Sequence, residues 1–201
     1  MYYQVFQLQD GQRPGTASLV STCLEGISKD VRSAGASIYG IFPSLFGLFS
    51  NEIYLVTCSE QPIQLEVPSE ISLNASWCGI PTVRPAVHEP LRVPGIYVFR
   101  WFEIESGSEE EVIRLSAEAW TSFESDFEAE IQGLFLEHSA SPSRMLLLTR
   151  YRNLSIWEAS RSPAPAAREN FLKRHQLTRR ALPIATMLAG VESDLKPVSQ
   201  S

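Results

Sequence analysis

Histidine and cysteine are scarce in this chain, three of each among 201 residues, and neither is spaced as a ligand set. No His-Glu-x-x-His and no His–Cys cluster occurs, which removes the usual sequence basis for a zinc site. Cys23, Cys58 and Cys78 are odd in number and form no Cys-x-x-Cys pair, so they read as reduced thiols in core or strand positions rather than a disulfide framework. A Gly-x-Ser-x-Gly elbow is missing, as are a P-loop and a Gly-x-Gly-x-x-Gly turn after a strand. Nucleophilic hydrolysis and nucleotide chemistry therefore lack their signatures. Basic charge is in deficit, 17 Lys and Arg against 23 Asp and Glu for a net charge of −6. That balance opposes nucleic acid as a partner, because such proteins present a basic face. Long apolar runs are absent too: the longest candidate, residues 38–49, is broken by Pro43 and falls short of the roughly 18 residues a membrane helix needs. The first ten residues are polar-interleaved with no basic segment leading into an apolar one, so the expected setting is cytoplasmic, with no membrane contact.

What the chain does carry is a repeat. Residues 2–6 (YYQVF) and 95–99 (GIYVF) are offset by 93, and so are 38–42 (IYGIF) and 131–135 (IQGLF). One shift superposes two strand-like segments, and the order of elements around them also repeats. This predicts two copies of one unit, residues 1–94 and 95–201.

Residues 2–8 read as a first strand followed by an Asp-Gly and Pro-Gly turn. Leu19, Val20, Cys23, Ile27 and Val31 recur at three- and four-residue steps, predicting a helix over 16–32 with one face on a sheet. Strands follow at 36–42 and 52–58, joined by an apolar loop at 43–51, and a Pro-rich connector over 59–94 holds one further strand at 76–83. The second half reads the same way. A strand at 95–104 leads to a helix capped by Ser108, with Glu111 closing a capping box and Val112, Ile113, Ser116, Trp120, Phe123 and Phe127 forming its buried stripe. Strands at 130–136 and 145–151 follow, then helices at 153–161 and 169–180 and a last strand at 184–191. Each half is β-α-β-β with a fourth strand after a connection, so the expected class is α+β, tandem ferredoxin-like βαββ repeats. Helices cover one face of each sheet, and the opposite apolar face requires a partner, for which the other copy is the obvious choice.

Tyr97, Phe99, Arg100, Phe102 and Gly107 fill the places of the Tyr-x-Leu-Arg-x-Tyr run, ending in Pro-Gly, that opens a NIPSNAP-like repeat. Residues 149–157 (TRYRNLSIW) with Arg161 resemble that family's Trp-Arg-Tyr-x-Ser-Leu-x-x-Arg segment, Thr149 standing for the Trp. The resemblance is closer over 95–190 than over 1–94, where Gln7 takes the Arg place. It implies a dimeric α+β barrel, in one chain or between chains, hence a homo-oligomer such as a dimer when chains pair. Relatives in this superfamily include cofactor-free monooxygenases, isomerases, lyases and haem proteins, so the fold leaves the chemistry open.

Arg100 alternates with Val98 and Phe102 on an apolar strand face and needs a partner there. That partner is a bound carboxylate or enolate, or else Glu103, Glu105 or a main-chain carbonyl. Arg150 poses the same question. His138, in a polar turn, is a second candidate for general base, and His88 sits beside Glu89 in the connector; either imidazole leaves haem open as a cofactor, although none is required. Tyr39, Phe42, Trp101, Trp120 and Phe135 are candidates for the wall of a ligand pocket, or for ordinary core. Two functions fit. One is a small-molecule-binding protein or cofactor-light enzyme holding an apolar carbonyl or aromatic compound, with Arg100 or His138 as the polar handle. The other is a non-catalytic interaction module whose contact surface is the apolar loop with Leu45, Phe46, Leu48 and Phe49.

Overall fold

The computed structural model describes residues 1–137 and 143–189. Its strands are β1 (Tyr2–Asp10), β2 (Ala36–Phe46), β3 (Glu52–Ser59), β4 (Ile71–Pro81), β5 (Ile96–Ile104), β6 (Ala129–Glu137), β7 (Arg144–Tyr151) and β8 (Thr178–Met187). The helices are α1 (Ala17–Thr22) and α2 (Ser28–Ser33) joined by a π turn at Cys23–Ile27, then α3 (Glu109–Asp126), α4 (Leu154–Ala159) and α5 (Pro165–Gln176). All eight strands close one barrel in the order β1-β3-β2-β8-β5-β7-β6-β4. Within each half the order is the ferredoxin-like one, β4-β1-β3-β2 and β8-β5-β7-β6. The halves meet at two short antiparallel seams, β2 with β8 around Ser44↔Thr186 and β4 with β6 from Gly79↔Glu137 to Pro81↔Phe135. One chain closes the barrel by itself.

Alternation along each strand sends one set of side chains inward and the next outward. The interior is filled by aromatics, among them Tyr3, Tyr39, Phe42, Tyr54, Trp77, Tyr97, Phe99 and Phe135, with Trp101 packed against them. The Ile-x-Gly-x-Phe motif has a steric origin here. Gly40 and Gly133 precede Phe42 and Phe135 by two residues, so glycine and ring share a face, and a Cβ would lie 2.5 Å and 2.3 Å from the ring tips. Each glycine also sits at a register shift in its pairing with the neighbouring strand.

Outside the first half, Leu19, Cys23, Ile27 and Val31 pack on Phe6, Leu8, Ile41, Ile53 and Leu55. Strict four-residue spacing overshoots a 3.6-residue turn, and the π turn, which takes up more residues, brings the stripe back onto the sheet. Outside the second half, α3 lays Val112, Ala119, Trp120 and Phe123 against β5–β7, with α5 beside it.

Several boundaries differ from the sequence expectation. The apolar loop expected at 43–51 is strand over its first four residues, because β2 runs on to Phe46 to meet β8. The connector strand begins at Ile71. Ser108 places no side-chain cap on α3; its hydroxyl donates to the Glu105 carbonyl instead, at 2.5 Å. The basic helix starts earlier, with Pro165 in the first turn, and ends at Gln176. Beyond it, residues 178–187 pair with β5, and Arg179 and Arg180 become cross-strand partners of Glu105 and Glu103 at 2.9 Å and 2.6 Å. No helix among the described residues is long and apolar enough to cross a membrane.

Candidate functional site

Arg100 points outward from β5, between Val98 and Phe102, and its row across the sheet is Arg100–Leu147–Leu134. The matching row of the first half is Phe6–Leu55–Ile41. On this strand the halves are therefore related by 94 residues, not 93, and Phe6 rather than Gln7 occupies the place of Arg100. The substitution has a structural consequence. Phe6 is buried against the helix, and the connector adds Leu65 and Ile63, the latter fixed by both ends of the Gln4 amide at 2.9 Å and 2.6 Å. That face is closed.

The equivalent face of the second half is open. Between β5, β7 and β8 on one side and α3, α4 and α5 on the other lies a cavity of about 640 Å³. Val98, Ile131 and Leu147 form its floor, and Trp120, Phe123, Trp157 and Phe171 its aromatic walls. Its charged lining is all of one sign: Arg100, Arg161, Arg168 and Arg174, with His175 at the rim and no Asp or Glu among the lining residues. This occurs in a chain of net charge −6.

Arg174 reaches in from α5 and is only 6% exposed. Its guanidinium lies over the rings of Phe102 at 5.0 Å and Phe171 at 4.9 Å, and Nη1 donates to Ser116 Oγ at 3.1 Å. No carboxylate pairs with it among the described residues. Burial pushes its pKa down to about 9, and the Arg100 charge adds to the effect. Arg100 likewise has no ion pair or hydrogen bond among the described residues, since Glu103 and Glu105 are held by Arg180 and Arg179. Burial raises the Tyr151 phenol above its ordinary range, partly countered by Arg100, so it stands in the cavity as a neutral donor. The indole N–H groups of Trp120 and Trp157 are buried without an acceptor among the described residues, as are those of Trp77 and Trp101 in the barrel. Trp120 is oriented from behind by Arg84, whose guanidinium stacks on its ring at 5.2 Å while binding Glu124 at 2.7 Å.

Of the residues singled out from sequence, Arg100 and Trp120 thus meet at one cavity. Tyr39, Phe42, Trp101 and Phe135 do not join them. They lie on the opposite face of the sheet, packed inside the barrel with ring centroids as close as 4.6 Å, for Tyr3 with Phe135. Arg150 also belongs elsewhere, at the end of the barrel, where it donates to the Pro94 carbonyl and to Glu130, both at 3.0 Å. His138 lies outside the described residues. His88 is engaged rather than free, its Nδ1 lying 2.8 Å from the Tyr3 hydroxyl. Sequence reasoning missed Arg174, Tyr151, Trp157 and Phe171. Tyr151 was within reach, because it shares strand parity with Leu147 and Thr149 on the Arg100 face; Arg174 sits in a basic helical stretch that reads as surface.

No family model matches the sequence, and no curated protein matches it. Solved structures do. Chlorite dismutase from Candidatus Nitrospira defluvii aligns over 94% of this chain and 90% of its own at a TM-score of 0.62 and 8% identity. A ferredoxin-fold protein from Listeria monocytogenes, related to antibiotic biosynthesis monooxygenases, aligns over 92% and 94% at 0.54 and 10% identity. A NIPSNAP-family protein from Agrobacterium tumefaciens covers 55% of this chain and 96% of its own, with 15% identity, but its TM-score of 0.41 carries no argument. At these identities the likeness establishes the fold, a ferredoxin-like α+β barrel, and leaves the chemistry to the site.

Proposed function

We propose that this chain binds a small, largely apolar carbonyl-containing or aromatic compound in the cavity of its second half, with Arg100 as a polar handle. The observation that carries the reading is an arginine without a carboxylate in a cavity of about 640 Å³, a volume typical of small-molecule sites. The kinship of the Listeria neighbour with antibiotic biosynthesis monooxygenases makes a cofactor-light reaction the natural extension. A guanidinium beside a carbonyl oxygen stabilises the negative charge of an enolate or phenolate bound there. Tyr151 is a hydrogen-bond donor in this scheme and not the base, because burial holds its proton. Haem, the cofactor left open by the sequence, would find a nitrogen donor in His175 at the rim and would supply redox chemistry there, whereas Tyr151, which burial keeps protonated, does not fit an iron ligand.

The same reading includes an internal duplication, residues 1–94 and 95–201, in which only the second copy keeps a site, and a cytoplasmic setting. Native mass spectrometry of the protein as purified from cells tests it. The expected spectrum shows an adduct, haem-sized or smaller, that leaves on denaturation and is lost in Ala181→Trp, which plugs the mouth from an exposed position. An unliganded spectrum that stays unliganded after exposure to aromatic ketones and acids would sink the reading.

A second reading, a NIPSNAP-like interaction module that forms a homodimer, is favoured by one observation. Leu45 and Leu48 fold onto the cores, whereas Phe46 and Phe49 stay 58% and 73% exposed at one hairpin end. Replacing both with Ser should monomerise the protein with its fold intact; an unchanged oligomeric state removes this reading.

A further inference from the structure

We propose that the occupant of this cavity is an aromatic carboxylate whose carboxylate group is shared by Arg100 and Arg174; this deepens the small-molecule reading above and rests on it. The cations are not there for the fold. In the first half the place of Arg100 is taken by Phe6, which completes a packed face without any charge. The acidic chain offers many carboxylates, yet the ion pairs of the described residues that involve β5 and β8 draw Glu103 and Glu105 away to Arg180 and Arg179.

Arg174 is the stronger marker. A guanidinium carries several N–H donors in a planar fork that matches a carboxylate, and the only hydrogen bond from this one among the described residues goes to Ser116 Oγ. Its faces are taken by Phe102 and Phe171, so its orientation is set by packing and its edge remains for an acceptor. Two like charges facing one another in a low-dielectric space repel, and an anion placed between them removes the repulsion.

The rest of the lining fixes the body of the ligand. Trp120, Phe123, Trp157 and Phe171 supply aromatic walls, which suit a flat arene. A bare inorganic anion would leave those walls unfilled, and a neutral ketone would leave both guanidinium groups without a counter-charge.

Isothermal titration with 2-naphthoate and with 2-acetonaphthone, a neutral ketone of the same shape, tests the inference. The wild-type protein should bind the carboxylate about 10-fold or more tightly than the ketone, the difference made by a charge-assisted hydrogen bond. Arg174→Gln and Arg100→Gln should each remove about 10-fold of the naphthoate affinity and change the ketone by about 2-fold or less. Equal affinity for the two compounds in the wild type overturns the carboxylate while leaving the small-molecule reading in place, and it does so whether or not the variants fold. Naphthoate binding untouched by Arg174→Gln also overturns the shared-carboxylate arrangement. Binding of neither compound overturns this proposal together with the reading beneath it.

Discussion

Replacing Arg174 with Met should make the ligand-free protein more stable. Met has nearly the length of the arginine stem and fills irregular space, so the change removes the charge with little loss of packing. The depression of the Arg174 pKa from its ordinary value to about 9 corresponds to a penalty of about 5 kcal/mol on the charged form. Against it stand contacts with two ring faces, about 1 kcal/mol each, and the bond to Ser116, about 2 kcal/mol. The balance favours Met by roughly 1 kcal/mol, at the lower end of the gain expected when a buried ionic group gives way to an apolar one. For a chain of this length that is about 2–4 °C in Tm. Scanning calorimetry of the two proteins without ligand is the assay, and the variant should also lose its preference for 2-naphthoate, a gain in stability at the expense of binding. A fall in Tm of several degrees would refute the reasoning, because it would make the guanidinium a strut of the fold and not a group held ready for a ligand.

Gly133→Ala should destabilise the protein by about 1–3 kcal/mol by overpacking, since the new Cβ would lie 2.3 Å from the ring of Phe135, which is itself fully buried; urea unfolding measures it, and an unchanged midpoint would contradict the steric origin of the motif. Burial raises the pKa of Tyr54 and Tyr97 to about 12 and those of Tyr3, Tyr39 and Tyr151 above their ordinary values. The unfolded chain therefore releases these protons first, and stability should hold up to about pH 10 and fall as pH rises toward 12, with phenolate absorbance appearing in step with unfolding; early ionisation of all of them would contradict it. Burial likewise raises the Cys23 thiol to about 12, so at pH 8 a thiol reagent should modify the half-buried Cys78 first and leave Cys23 untouched until the protein is denatured.

Much of the fold was legible because its signals are local. The strand alternation around Tyr3 and Tyr97, the stripe Leu19–Cys23–Ile27–Val31 and the Ile-x-Gly-x-Phe motif each follow from a backbone period or a steric requirement, and together they imply two ferredoxin-like sheets placed face to face. Legibility ended where pairing between distant segments decides the outcome. Residues 178–180 look like the end of a basic helix, yet β5 requires a second neighbour and recruits them as strand, with Glu103 and Glu105 as charge partners. The one-residue slip between β1 and β5 was invisible for a similar reason: an ungapped shift reverses inward and outward on that strand, and only the cross-strand rows show Phe6 standing where Arg100 stands. At the site, parity placed Arg100 on an apolar face, but the aromatic candidates were sorted by residue type alone. Tyr39, Phe42, Trp101 and Phe135 went to the barrel interior, and Trp120 to the helix side.

The most direct test of the central claim is a crystal structure of the protein with saturating 2-naphthoate. The account predicts the arene between Trp120, Phe123 and Phe171, with its carboxylate against Arg100 and Arg174. Density for the compound inside the barrel or on the Phe46–Phe49 hairpin, with the helix-side cavity closed by the protein's own side chains, would contradict it.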